Sequence, residues 1–324
     1  MGDVQAIAID GWGTADRLTL RELPDPPVGP DTVLVRVRAA GVNPVDAKIR
    51  EGLLADAIPA HFPLVPGWDA AGVVVAAGPA VTGFAVGDEV IGYVRRDHLQ
   101  YGSYAELVPA PQRCLAIRPS QASWVEAAGL PLAGLTAYQA LRRAGTGAGD
   151  TVLVHGASGG VGHLAVQVAR ALGATRVIGT AGPANHDFVR SLGAEPVAHG
   201  DGLVDRLRAL APDGVDVALD LFGGAALDVS AALLSRPSRL VSVADPEHVT
   251  RLGGSYLFVE PSTADLGLLA ALVDAGRLTV HVERVLPLAR AADAHRLVEA
   301  GHVRGKVVLA VWSAAGTAAD RAPA

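Results

Sequence analysis

An apolar strand that runs straight into a cluster of glycines, with a helix on the far side, leaves a chain few ways to fold. Residues 151–169 read TVLVHGASGGVGHLAVQVA. Composition marks Thr151–His155 as a buried strand and Val161–Leu172 as a helix with an apolar stripe. Glycine at 156, 159, 160 and 162 lets the backbone turn tightly and leaves it bare enough for a pyrophosphate to approach. The helix start offers unpaired N–H groups and the positive end of its dipole to that anion. Gly156, Ser158, Gly159, Gly160, Val161 and Gly162 are therefore candidate dinucleotide ligands, and Gly162 also lets the helix pack on the sheet. A turn of small residues alone would carry little weight. This one is followed by regular alternation: strand Arg176–Thr180, helix Asn185–Leu192, helix Leu203–Leu210, strand Val215–Leu219, helix Ala225–Leu234 and strand Arg239–Val243. The pattern predicts a parallel sheet with helices on both faces.

The first 120 or so residues read differently, as strands and turns. Val4–Asp10 and Thr32–Ala39 alternate, the latter with Val33, Val35 and Val37 on one face and Arg36 and Arg38 on the other. Ala70–Ala77, Glu89–Val94, Tyr104–Pro109 and Cys114–Ile117 complete a mainly β region. Pro24, Pro26, Pro27 and Pro30 exclude a central strand there. Helices are expected at Trp124–Leu130, Thr136–Ala144 and Leu266–Ala275, with a last strand at Lys306–Trp312 and a frayed end at Ala314–Ala324.

Composition excludes several classes. With 27 basic and 33 acidic residues and a net charge of -6, nothing favours nucleic acid, which needs clustered positive charge. One cysteine, Cys114, allows no intrachain disulfide and no multi-cysteine metal site. Residues 1–10 lack the basic start of a signal peptide. No stretch reaches the roughly 18 apolar residues of a membrane span. A cytoplasmic protein with no membrane partner is expected.

The end of the second strand of such a sheet selects the cofactor. An acid there binds the 2′-hydroxyl of NAD and repels a 2′-phosphate. This chain has Thr180, Gly182, Asn185 and His186 in that stretch, and no acid before Asp187. NADPH is the expected cofactor. No lysine or arginine lies in the loop, so a phosphate clamp must come from Asn185, His186 or elsewhere; Asn185 is equally suited to capping the next helix.

Five ordered motifs then resemble the medium-chain dehydrogenase/reductase family, in its zinc-lacking quinone oxidoreductase branch. They are Ala40-Gly41-Val42-Asn43-Pro44-Val45-Asp46; Val65-Pro66-Gly67-Trp68-Asp69-Ala70-Ala71-Gly72; Gly83 with Val86-Gly87-Asp88-Glu89-Val90; Leu130-Pro131-Leu132-Ala133-Gly134-Leu135-Thr136-Ala137-Tyr138; and Gly301-His302-Val303-Arg304-Gly305-Lys306. The resemblance implies an α/β protein with a GroES-like, mainly β substrate domain and a Rossmann-type cofactor domain. The substrate domain would be split between residues 1–124 and 268–324, with the NADPH-binding domain at 125–267. It implies nicotinamide near Asn43 and Thr136, a quinone, enone or alkenal substrate, and a homodimer, with edge strands near Gly254–Val259 as the place to pair. Zinc-dependent relatives carry histidine and glutamate where this chain has Trp68 and Asp69, and their cysteine ligands are absent. No metal is expected. Some quinone reductases carry tyrosines after the first motif. Lys48 and Leu54 stand at or near those positions, which leaves enones and alkenals as open as quinones.

For the chemistry, Asn43 is a candidate polar group at the cofactor or substrate, or else an Asx turn before Pro44. Lys48 is a candidate donor to a developing oxyanion, or else a solvent-facing lysine. Thr136 touches the nicotinamide end or caps a helix. Trp68 is a pocket wall or a core aromatic, and Tyr93 and Tyr101 are candidate pocket residues. Phe258, Val259 and Lys306 approach the cofactor from the second half. NADPH-dependent reduction of quinones or of conjugated double bonds is the expected activity. A pathway-specific enoyl or carbonyl reductase, and a non-catalytic NADPH-binding protein, remain alternatives.

Overall fold

Val152, Leu153 and Val154 are fully buried, as a strand covered by helices on both faces must be. In the computed structural model, which describes residues 2–311, this strand lies inside a six-stranded parallel sheet. The spatial order is Glu195–Ala198, Arg176–Ala181, Thr151–Val154, Val217–Asp220, Leu240–Ser242, Ser255–Tyr256. Numbered along the chain, that is 3-2-1-4-5-6, the doubly wound order. Strand order reverses beside Thr151–Val154, and the crevice at such a reversal is where ligands bind. The glycine turn leaves from the end of that strand. Ser255–Tyr256, short and half-buried, forms one edge.

The second sheet has seven strands and is built around Thr32–Val42. Val33, Val35 and Val37 point into the core and Arg36 and Arg38 are only half-buried, as period-two alternation requires. This strand pairs with Asp69–Ala77, with Leu107–Pro111 and with Lys306–Ala310, all antiparallel. The last pairing places Val307 opposite Val42. It therefore carries residues 301–306 back against Asn43, across some 260 residues of sequence. One apolar cluster runs through both sheets and the helices between them.

Several elements lie in stretches without a clear period. They include the strands Thr19–Pro24, Ala60–Val65, Glu195–Ala198 and Val282–Pro287 and the helices Pro44–Arg50, Pro246–Arg251 and Ala291–Glu299. The helix expected from Thr136 begins at Pro131 instead and runs to Arg143. Pro131 at its first position has no N–H to satisfy, and the next amide, on Leu132, donates to the Asp69 carboxylate at 2.7 Å. Trp312 and the expected frayed end, Ala314–Ala324, lie outside the described residues. No helix among the described residues is long and apolar enough to cross a membrane.

Three buried histidines hold this frame together while uncharged. His155 Nε2 meets Ser230 Oγ at 2.9 Å. His163 Nε2 accepts the His281 amide at 3.2 Å. His295 lies between Tyr104 and Arg50. Burial pushes each of the three down to about 4. A histidine depressed in the folded state contributes stability that is fully present above its unfolded pKa and is lost as pH falls through the folded one. Asp46, pushed up to about 7 by burial, and Asp69, also raised by burial, act in the opposite direction, but they are two groups against three. We therefore expect unfolding free energy, measured in urea, to fall as pH drops from about 6.5 to about 4. His155→Asn should flatten part of that slope. A pH-independent stability across this window would contradict the assignment.

Candidate active site

The glycine turn is built as a bare cradle. Gly156 has φ +67°, a left-handed conformation that glycine adopts without strain. Its amide donates to Thr180 Oγ1 at 3.0 Å, so Thr180 fastens the turn to the second strand. A Cβ at Gly162 would lie 2.0 Å from Gly156 O, which makes glycine obligatory for the close helix approach. Gly159 and Gly160 differ. No protein atom comes nearer than 3.4 Å to a Cβ built at either. Internal packing leaves that space open, and a dinucleotide pyrophosphate fits the exposed amides at the helix start. The residues present thus suit a nicotinamide dinucleotide. Phe222, 72% exposed, lies over the turn on the Gly156 side.

At the end of the second strand, Asn185 Nδ2 donates to Ser158 Oγ at 3.3 Å. Asn185 Oδ1 accepts from Arg304 Nε at 3.0 Å. His186 turns back onto the Ala181 carbonyl at 3.3 Å. Gly182 faces His199 rather than an acid: a Cβ there would lie 3.8 Å from His199 Nε2. The Gly305 amide donates to Ser158 O at 2.8 Å, so the last motif of the sequence rests directly on the glycine turn.

Below the turn lies a buried charge cluster. Lys306, 3% exposed, passes beneath Gly160 and donates to the Asn43 side-chain oxygen and to Val42 O. Its ammonium is 3.5 Å from Asp69 Oδ2. Asn43 Nδ2 donates to the same Asp69 oxygen at 2.9 Å. Both ends of the Asn43 amide are therefore engaged by protein. Burial raises Asp69 above the usual carboxylate range, while Lys306 and the hydrogen bonds from Asn43 and Leu132 oppose that rise. The Asn43 backbone amide donates to Asp46 Oδ2 at 2.8 Å, and Tyr104 Oη donates to the same oxygen at 3.1 Å.

Lys48 lies on the helix that Asn43 starts. Its side chain is exposed and makes no hydrogen bond among the described residues. Thr136 is buried in the middle of its helix, its hydroxyl bonded back to Leu132 O at 2.7 Å, and so is not a cap. Trp68 and Tyr101 line one narrow crevice with Ile49, Leu64, Arg96 and His98. Its free volume is about 10 Å³, room for little more than one water. Tyr93, fully buried, packs edge-on behind Trp68 with ring centres 5.7 Å apart. Arg95 lies 5.9 Å from the Tyr93 ring and 5.2 Å from the Phe258 ring, which joins the crevice to the loop carrying Phe258 and Val259.

Sequence reasoning missed Asp69 as a hub, Arg95, Arg304 and Phe222. Asp69 was read only as a position where a zinc ligand is lacking. Its three partners lie 26, 63 and 237 residues away in the chain, so no local spacing exposes it. The signal available was the buried strand around it, which leaves an aspartate no water to face.

Removing one partner of a buried ion pair leaves an uncompensated charge, at a cost of about 3–5 kcal/mol. Lys306→Met should therefore lose about that much in urea unfolding, and adding Asp69→Asn should restore part of it. Additive losses in the double variant would show that the two groups do not share one cluster.

Among the described residues, no three His, Cys, Asp or Glu side chains converge to hold a metal ion. An alcohol dehydrogenase GroES-like domain matches residues 29–120, and a family model described as zinc-binding dehydrogenase matches 192–309. Over 316 residues, 95% of the chain, it is 36% identical to the NADPH-dependent alkenal/one oxidoreductase, chloroplastic, of Arabidopsis thaliana, spanning 79% of that protein. It is 32% identical to the quinone-oxidoreductase homolog, chloroplastic, of Spinacia oleracea, over 94% of this chain and 98% of the other. The solved quinone oxidoreductase from Coxiella burnetii superposes with a TM-score of 0.85 at 34% identity, over 96% of this chain and all of that one. The chain belongs to the medium-chain dehydrogenase/reductase family, in the zinc-independent group related to quinone oxidoreductases.

Proposed function

We propose that the protein is an NADPH-dependent reductase of quinones or of the conjugated double bond of enones and alkenals. The observation that carries this reading is the closed bonding of the Asn43, Asp69 and Lys306 cluster beside the glycine turn. These three groups are already committed to one another. Just beyond the first motif, the exposed Lys48 ammonium has unused hydrogen-bonding capacity. One hydrogen-bond donor suits an acceptor whose charge is delocalised, not one that must carry a full alkoxide. The names of the relatives point to the same substrate class.

Bound on the glycine turn, the dinucleotide supplies the hydride. The protein binds and orients. The amides after Gly156 hold the pyrophosphate, and the absence of an acid before Asp187 accommodates a 2′-phosphate. Phe258, 46% exposed, provides apolar surface against which an unsaturated carbonyl lies. Lys48 donates to the carbonyl oxygen as it gains enolate charge, and solvent protonates the adjacent carbon. Asn43 is a positioning residue in this scheme, since both ends of its amide are held by Asp69 and Lys306.

Specificity constants for an enone, a quinone and the corresponding saturated ketone test the proposal, each with NADPH and with NADH. The conjugated acceptors should be turned over and the saturated ketone poorly, with NADPH preferred. Lys48→Met should lower kcat on the enone by roughly 10- to 1000-fold while NADPH binding is retained. Comparable turnover of the saturated ketone would defeat the reading.

A further inference from the structure

We propose that Arg304, which belongs to the segment leading into the last strand of the other lobe, binds the adenosine 2′-phosphate and sets the preference for NADPH over NADH. The inference rests on the NADPH reading given above and names the cation that the cofactor domain itself does not supply.

The stretch after Arg176–Ala181 is where an adenosine ribose is read. It contains neither an acid before Asp187 nor any lysine or arginine before Arg190, and Arg190 is paired with Asp187. Arg304 reaches this stretch from outside. Its Nε donates to Asn185 Oδ1 at 3.0 Å, and its guanidinium lies 5.3 Å from the centre of the Phe188 ring, on the helix that follows. The ring face and the Asn185 oxygen fix the plane of the group. Both Nη nitrogens lack a hydrogen-bond partner among the described residues, and no carboxylate there forms an ion pair with the side chain. Glu283, the nearest acid it touches, is bound to the Arg304 backbone amide instead. A half-buried guanidinium held on one edge, with its two-pronged end unpaired, has the shape and charge that bidentate phosphate recognition uses.

The position of Arg304 is itself built in. Gly305 has φ +66°, and a Cβ there would lie 2.3 Å from His281 O, so only glycine allows the chain to pass this point. The Gly305 amide on Ser158 O then sets the approach to the glycine turn. Because the hydrogen bond of Arg304 is to Asn185 and not to the glycine turn, the expected contact is the 2′-phosphate and not the pyrophosphate. His199, facing Gly182, offers a further nitrogen on the same side.

Adenosine 2′,5′-bisphosphate and 5′-AMP differ only by the 2′-phosphate, so calorimetric binding of the two separates the possibilities without turnover. Wild-type protein should bind the bisphosphate more tightly. Arg304→Gln should weaken bisphosphate binding about 10- to 100-fold and leave 5′-AMP unchanged, and Arg304→Lys should retain part of the difference. Circular dichroism melts confirm that the variants are folded. If the wild type binds both ligands equally, the NADPH reading itself fails. If the wild type discriminates but Arg304→Gln weakens both ligands equally, or neither, the NADPH reading stands and the role of Arg304 is overturned.

Discussion

A carboxylate with no exposure to solvent must be met by donors, and the three that meet Asp69 come from three different parts of the chain. Asn43 belongs to the first motif, Leu132 to the helix that enters the cofactor domain, and Lys306 to the final strand. One buried anion thus joins the substrate sheet, the start of the helix bearing Thr136, and the C-terminal return. Its surroundings are correspondingly tight. A Cβ at Gly41 would lie 2.4 Å from Ala128 O and 2.9 Å from Asp69 Cβ. The cleft floor is placed by this joint, and the glycine turn lies directly above its lysine.

The joint also limits the chemistry. An asparagine whose oxygen receives an ammonium and whose nitrogen donates to a carboxylate is held in place, with a single amide N–H left over. Substrate polarisation then falls to groups at the margin of the cluster, and a marginal donor suffices only where the acceptor spreads its own charge. The exposed polar groups and aromatic faces around the cleft define a site for orientation more than for strong acid catalysis. From the other side, Arg304 and Gly305 bring the same C-terminal segment onto Ser158 and Asn185.

The cofactor domain was legible because its determinants are local. Val152–Val154 followed by glycines at 156, 159, 160 and 162 dictates strand, turn and helix without reference to distant residues, and the alternation to residue 243 dictates the parallel sheet. The substrate lobe was legible where period two was strong, as at Val33, Val35 and Val37. Glu195–Ala198 was hidden by its length and by Pro196, and the helix Ala291–Glu299 by the absence of a clear start signal. The helix at Pro131 was placed five residues late because its acid cap comes from Asp69 and not from the preceding turn. In the site, Trp68 and Tyr101 line one crevice, with Tyr93 behind Trp68. The partners of Asp69 lie 26, 63 and 237 residues away, and the Asn185 partner of Arg304 lies 119 away, and no spacing rule reaches that far.

The central claim is that a site of this construction delivers hydride to a conjugated carbon and leaves the carbonyl to a single hydrogen-bond donor. Reduction of an enone with NADPH deuterated at the transferred position, followed by NMR of the product, tests it most directly. The account predicts deuterium on the former alkene carbon β to the carbonyl, with the carbonyl intact. Deuterium on the carbonyl carbon, giving an allylic alcohol, would contradict it.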